Sequence, residues 1–246
     1  VLVDVHNSKK GKFNAGRYDT NAVSGANITT TIDADLQKYG EQLMQNKIGS
    51  IVAIEPSTGE ILTLISSPTF NPNTLTGRKR SENFNILLED ENKPLFNRAL
   101  LGQYAPGSTF KLINSLIALQ EKSLNTHSSY NCVGGFEYAK DKIVGCHKHS
   151  SPLSFKKAIA ISCNSYFCNV FQGFFDKFQN TEIAFNTWKQ HIASFGVGQW
   201  MNNDFSSGKK GLLPSTNTYD NIYGKTHWNA STILSLSIGQ GELLLT

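Results

Sequence analysis

The tripeptide Pro106-Gly107-Ser108 sets a turn signal directly against an apolar run containing Phe110, Leu112, Ile113, Leu116, Ile117 and Leu119. Proline and glycine punctuate regular structure and the run behind them repeats at helical spacing, so the pattern predicts a helix that opens abruptly near Ser108. Its apolar residues fall on more than one face, which predicts a buried helix. Such a helix needs other elements packed around it. A chain of 246 residues with 39% hydrophobic content can supply them, as one large domain or one domain plus a fragment.

The remaining elements follow from similar local signals. Residues 1–27 are polar, with Gly11, Gly16 and Gly25, and read as an extended arm or linker. A short Thr-rich strand from Ile28 leads to Asp33, a suitable N-cap for a helix through Leu36, Tyr39, Gln42 and Leu43. The apolar runs 50–55 and 60–65, joined by Pro56-Ser57-Thr58-Gly59, predict a hairpin. Residues 68–97 carry Asn, Pro, Gly and charges at short intervals and predict loop with short helical turns. Further helices are expected at 155–175 and near 182–195, with Gly196 as the stop of the latter. Strands flanked by several helices make the chain α+β.

Charge narrows the function classes. Lys and Arg number 23 against 19 Asp and Glu, a net charge of +4 with no dense basic block, which gives nucleic-acid binding no support. No run approaches the roughly 18 apolar residues of a membrane-spanning helix. Any anchor or export signal is expected upstream of Val1.

Ser108-Thr109-Phe110-Lys111 places a hydroxyl and an amine three residues apart, hence on one helical face. A lysine in that apolar setting loses its proton more readily than one in water and becomes a candidate base toward the serine. Spacing alone is a poor guide, because Ser154 with Lys157, Ser206 with Lys209 and Ser207 with Lys210 match it equally. The turn and the apolar helix single out Ser108. Ser162-Cys163-Asn164 adds a hydroxyl and an amide, although Ser-x-Asn also occurs at Ser81, Ser123, Ser129 and Ser215, where a cap or turn role suffices.

Ser-x-x-Lys followed by Ser-x-Asn is the opening of the signature of the penicillin-recognising serine enzymes. The surrounding text resembles class B penicillin-binding proteins of the elongation type. The matching phrases are Thr31-Ile32-Asp33 with Leu36-Gln37, Gly59-Glu60-Ile61-Leu62, Pro94-Leu95 with Asn97-Arg98-Ala99, Tyr104 through Lys111, Ser162 through Phe167, and Ser237-Ile238-Gly239-Gln240-Gly241, in family order. The resemblance implies a transpeptidase fold like that of the serine β-lactamases, with a central antiparallel sheet and helices on both faces, over 28–246. Residues 1–27 would then be a linker or the remnant of a non-catalytic pedestal domain.

It further implies that Ser108 attacks the penultimate D-Ala carbonyl of a stem peptide, with Lys111 as base, Ser162 as proton relay and Asn164 holding the amide of the donor peptide or of a β-lactam. The backbone N–H of Ser108 would supply half of the oxyanion hole. Expected partners are peptidoglycan stem peptides, β-lactams, a membrane glycosyltransferase and elongation-complex proteins, at the outer face of the cytoplasmic membrane. A serine β-lactamase or β-lactam sensor shares these motifs, and a non-catalytic scaffold is the reading of another class. The family's third motif, Lys-Thr-Gly, is expected beyond Thr246, leaving the fold incomplete at its C-terminal side; Lys225-Thr226 continues into His227 and is not that motif.

Cys132, Cys146 and Cys163 with His149 make a sulfur and imidazole set suited to a closed structural zinc site. In some similar penicillin-binding proteins the corresponding positions hold zinc. A Cys132–Cys146 disulfide, free buried thiols, and His147 in place of His149 are the competing readings. His6, His127, His191 and His227 show no partner pattern. Trp188, Trp200 and the stripe Phe167, Phe171, Phe174 and Phe175 are expected in the core.

Overall fold

The computed structural model describes residues 2–18, 23–200, 204–205 and 207–246. Two short strands, β1 (Leu2–Val3) and β2 (Lys9–Gly11), pair antiparallel with every residue exposed. The strand expected over 28–32 does not form. That stretch makes only isolated bonds beside the sheet, from Thr31 Oγ1 to Ile61 O and from Asp33 N to Leu62 O, too few for a ladder.

Asp33 caps α1 (Ala34–Leu43) by accepting from the backbone N–H groups of Asp35 and Leu36. The helix lies on the antiparallel hairpin of β3 (Gly49–Ile54) and β4 (Ile61–Ser67), in register Ile51 to Ile65 and Ala53 to Thr63. Gly40 faces β4, where a Cβ would stand 2.2 Å from Ile65 Cδ1 and displace that methyl. Gln37 then does for β4 what a neighbouring strand would do. Its Oε1 accepts from Leu64 N and Thr63 Oγ1, and its Nε2 donates to Leu64 O.

Just over half of residues 68–97 are loop, as expected, but the helical part is more than short turns, because α2 (Arg80–Glu89) is a ten-residue helix. The Pro and Gly signals lie outside it, in the 3-10 turn Pro72–Leu75 and at Gly77 before it and at Pro94 after it, while Asn83 and Asn85 are carried within the helix. After the short α3 (Arg98–Leu101), α4 (Phe110–Gln120) buries Phe110, Lys111, Asn114, Ser115, Ile117 and Ala118. It is not buried all round: Leu112 and Leu116 are 51% and 53% exposed. Hydrophobicity marked the helix correctly but could not say that the fold covers only one side.

The segment after α4 forms two small antiparallel pairs, β5 (Ser129–Tyr130) with β8 (Leu153–Ser154), and the hairpin of β6 (Gly135–Ala139) and β7 (Lys142–Gly145). The single helix expected at 155–175 is two, α5 (Phe155–Ala160) and α6 (Asn164–Phe175), broken at Ser162. α6 carries the stripe Phe167, Phe171, Phe174 and Phe175 into the core. There it meets α4, α7 (Thr181–Ser194), the β6–β7 hairpin and the 3-10 segment Leu234–Ile238. Gly196, just beyond α7, takes the left-handed backbone (φ +87) of a helix stop.

Trp188 is buried against Phe110, Phe171 and Phe185, but Trp200 is 66% exposed and not a core residue. His191 also departs from expectation, since its Nε2 lies 2.7 Å from Glu121 Oε1 and ties α7 to the end of α4. His6, His127 and His227 are exposed. α8 (Thr216–Tyr223) starts at a capping box in which Ser215 and Thr218 bond each other's backbone N–H.

Among the described residues every sheet has two strands. The last segment folds back over the middle of the chain, where bridges join Leu245 to Tyr104 and Leu244 to Leu212. This return places residues 236–245 beside the turn that opens α4.

Candidate active site

Gly107–Thr109 forms a single 3-10 turn that feeds α4, with Gly107 in the left-handed region (φ +61). The Gly107 N–H donates to Gly239 O at 2.8 Å, and Thr109 Oγ1 donates to Pro106 O. Gly239 is itself left-handed (φ +69) and packs so closely that a Cβ there would stand 2.2 Å from Gly107 O. Ser108 is thereby held exposed at the N-terminal mouth of α4. Unpaired N–H groups and the positive end of the helix dipole favour negative charge at such a place.

One turn further in, Lys111 is 2% exposed. Its Nζ donates to Ser162 O at 2.8 Å, to Ser162 Oγ at 3.0 Å and to Asn164 Oδ1 at 2.6 Å, and lies 5.5 Å from the centre of the Phe167 ring. Burial disfavours the ammonium and lowers the Lys111 pKa from its ordinary value, while the thiols of Cys146, Cys163 and Cys168 pull the other way. The contact set suits both protonation states. An ammonium uses three donors on three acceptors; a neutral amine keeps two, and Ser162 Oγ–H turns round to donate to its lone pair.

Local structure explains how Ser162 comes to offer two oxygens. α5 ends with Cys163 N bonding Ala158 O and Ser162 N bonding Ile159 O, a Schellman pattern. Ser162 occupies its left-handed position (φ +55), which glycine fills at no steric cost. A serine there costs about 1–2 kcal/mol, and the hydroxyl it carries is what glycine lacks. Cys163 then caps α6, its Sγ accepting from Tyr166 N, so Asn164 starts the helix. The Asn164 amide is oriented from both ends: Oδ1 faces Lys111 and Nδ2 donates to Gly145 O at 2.9 Å.

Beside this constellation the ligand atoms of Cys132, Cys146, His149 and Cys163 all lie within 4.8 Å of one another. Cys146 Sγ is 3.7 Å from Cys163 Sγ and 3.4 Å from His149 Nε2. Tetrahedral zinc with ordinary Zn–S and Zn–N bonds needs edges of about 3.5–3.8 Å. His149 Nδ1 faces the Ser150 carbonyl at 2.7 Å, which can only accept, so Nδ1 carries the proton and Nε2 points its lone pair into the cluster. His147 stacks edge-on against His149.

All four cysteines are free thiols. Burial pushes Cys163 up to about 12. It pushes Cys146 the same way, but backbone N–H groups of Ser165 and Asn164, with His149 and Cys163, outweigh it and bring Cys146 down to about 7. Cys168 stands outside the cluster, buried against Ser237 Oγ and pushed up by burial to about 11.

The fold thus gathers Lys111, Ser162 and Asn164 into direct contact, with Ser108 one turn away at the open end, and gathers the four proposed metal ligands into a second cluster joined to the first at Cys163. The look-alike pairs do not share this setting: Ser154 at the end of β8 and Lys157 on α5 are exposed, Ser207 and Lys210 lie in a loop, and Ser206 lies outside the described residues. Ser215 is a helix cap. The carbonyl of Gly145 and the role of Gly239 escaped sequence reasoning. A main-chain oxygen leaves no residue-type signal, whereas the Gly-Gln-Gly phrase did mark Gly239 without giving its contact.

Comparison with known proteins converges on one family. The profile described as penicillin binding protein transpeptidase domain matches residues 49–246. A peptidoglycan D,D-transpeptidase, MrdA, of Acinetobacter baumannii is 30% identical over 238 residues, which covers 94% of this chain and 33% of that protein. Penicillin-binding protein 2 of Pseudomonas aeruginosa, solved in complex with WCK 5153, superposes with a TM-score of 0.77 at 27% identity, over 88% of this chain and 48% of that one. A peptidoglycan synthase complex that coordinates polymerization and crosslinking contains a chain 30% identical, with a TM-score of 0.68 over 86% of this chain and 35% of that one. The chain therefore spans about a third of the curated relative and about half or less of the solved ones.

Proposed function

Because the chain belongs to the penicillin-binding-protein transpeptidase domain family, we propose that it carries the nucleophile half of a peptidoglycan D,D-transpeptidase site, with Ser108 as the acylated residue. The observation that supports this most directly is the buried Lys111 amine held between Ser162 and Asn164, residues more than fifty positions away in sequence.

Neutral Lys111 takes the Ser108 proton as Oγ attacks the penultimate D-Ala carbonyl carbon of a stem peptide. The resulting oxyanion is met by the Ser108 N–H at the helix mouth. Collapse breaks the peptide C–N bond, and the proton on Lys111 passes through Ser162 Oγ to the departing D-Ala amine. An amine from a second stem peptide then attacks the ester carbonyl, returns Oγ–H to Ser108 and completes the cross-link. Asn164, fixed at both ends of its amide, keeps one N–H for the carbonyl of the donor peptide. A β-lactam acylates the same oxygen by opening its ring.

The ligand set of Cys132, Cys146, His149 and Cys163 fits zinc in chemistry, and two of its edges, Cys146–Cys163 at 3.7 Å and Cys146–His149 at 3.4 Å, are close to those of a tetrahedral site. Bound zinc would clamp the chain after β7 to the start of α6, and so support the Gly145 carbonyl against Asn164. Expected partners are stem peptides, a membrane glycosyltransferase and other proteins of the elongation machinery, at the outer face of the cytoplasmic membrane. Among the described residues no helix is long and apolar enough to cross a membrane.

The test is labelling of the full-length protein with a fluorescent penicillin. A stable acyl adduct on the peptide that contains Ser108, lost in Ser108→Ala and in Lys111→Ala, is the expected result. Rapid release of hydrolysed penicillin points to a hydrolase instead, and a folded full-length protein that never labels points to a scaffold.

A further inference from the structure

Asn114 is a polar residue in the middle of the nucleophile helix, 5% exposed, and no step of the chemistry above uses it. Its three polar contacts come from two other elements, α7 and the 3-10 segment Leu234–Ile238. Oδ1 accepts from Trp188 Nε1 of α7 at 2.8 Å, and Nδ2 donates to Leu236 O at 3.0 Å and to Ser237 O at 3.1 Å. Both amide hydrogens are consumed, so its orientation is unambiguous: reversal would set Oδ1 against two carbonyl oxygens.

Leu236 O is the link to the site. It also accepts the N–H of Gly239 at 3.2 Å, and Gly239 O in turn accepts the N–H of Gly107, the residue before Ser108. A closed circuit results, from Asn114 through Leu236, Gly239 and Gly107 to Ser108 and back along α4. Lys111 lies on the same circuit, three residues before Asn114 and on the same helical face.

We propose that Asn114 is a positioning residue: it clamps the 236–239 segment to the helix that carries Lys111, and through Gly239 it fixes where the turn holds the Ser108 oxygen and N–H. This rests on the acyl-transfer reading given above. Buried in an apolar core, a leucine or valine at 114 would leave Ser237 O and Trp188 Nε1 without these partners and free the platform to shift. Misplacement of about 1 Å costs on the order of a hundredfold in rate.

The test uses the full-length protein and the variants Asn114→Ala, Asn114→Asp, Asn114→Ser and Trp188→Phe. Each is measured well below its own unfolding midpoint. Stopped-flow acylation by a fluorescent penicillin separates the non-covalent Kd from the acylation step, and hydrogen exchange of the peptide 104–110 reports the Gly107 N–H. Asn114→Ala is expected to slow acylation about ten- to a hundredfold, with Kd within about twofold and faster exchange at Gly107. Asn114→Asp keeps shape and the Trp188 partner but faces two carbonyls, and should be at least as slow. Asn114→Ser retains one donor and serves if Asn114→Ala does not fold. Trp188→Phe spares both carbonyl bonds and should keep most of the rate.

Parental acylation and parental exchange in a folded Asn114→Ala or Asn114→Ser protein, with only the melting temperature lowered, overturns the proposal. A parent that penicillin never acylates overturns the acyl-transfer reading instead, and exchange at Gly107 still decides whether Asn114 places the turn.

Discussion

Replacing Gly239 by alanine attacks the contact on which the nucleophile turn rests. The position has φ +69, so any side chain costs about 1–2 kcal/mol in backbone strain. The added Cβ would stand 2.2 Å from Gly107 O and 2.6 Å from Phe110 Cβ, where an ordinary carbon to oxygen contact is about 3.3 Å. Neither neighbour is the end of a flexible side chain, so the turn must retreat by about 1 Å and weaken the Gly107 to Gly239 hydrogen bond, worth about 1 kcal/mol. The sum is about 2–3 kcal/mol, or roughly 4–12 °C in Tm for a chain of this size. Acylation should fall on the order of a hundredfold, because the same retreat moves Ser108. Thermal melts and the time course of fluorescent penicillin labelling on the full-length protein measure both. Gly25→Ala, at a position with nothing within 4 Å, is the control. A Gly239→Ala protein that labels at the parental rate refutes the account of the turn.

Three further outcomes are expected. Ser162→Gly and Ser162→Ala both remove the hydroxyl and should both acylate slowly, yet the glycine variant should be the more stable by about 1 kcal/mol, since only alanine retains the left-handed strain; equal denaturation midpoints would argue against that backbone conformation. Acylation needs the neutral Lys111 amine, whose pKa burial lowers from the ordinary lysine value of about 10.4. The rate should therefore rise with pH through the depressed value and level off below that of a free lysine, and Lys111→Arg, which stays charged, should be inactive at every pH; a rate independent of pH between about 6 and 10 contradicts Lys111 as the base. Metal analysis of the full-length protein prepared without chelator should find zinc in proportion to chain. Chelation should expose three titratable thiols and lower the Tm, with Cys168 left protected in the core, whereas zinc-free protein with all four thiols reactive would remove the metal proposal.

Short-range features were legible from residue order alone. The Asp33 cap, the hairpin about Pro56 to Gly59, the helix opening at Ser108 and the face shared by Ser108 and Lys111 are all set within a few residues, where backbone sterics and helical spacing dominate. The aromatic stripe of α6 was legible for the same reason. Collinear motifs extended that reading to the family, which the comparisons bear out.

Tertiary structure decided whatever depends on what lies opposite a residue. Leu112 and Trp200 are apolar yet exposed, and His191 finds Glu121, because burial and pairing are settled by segments distant in the chain. The break at Ser162 overrode a continuous helical pattern, where a Schellman stop sets a left-handed serine whose hydroxyl meets the buried lysine. Asn164 depends on a main-chain oxygen of Gly145, and Ser108 on one of Gly239. Residue order specifies side chains and local backbone preference, but the direction of a carbonyl emerges only once the whole chain has folded around it.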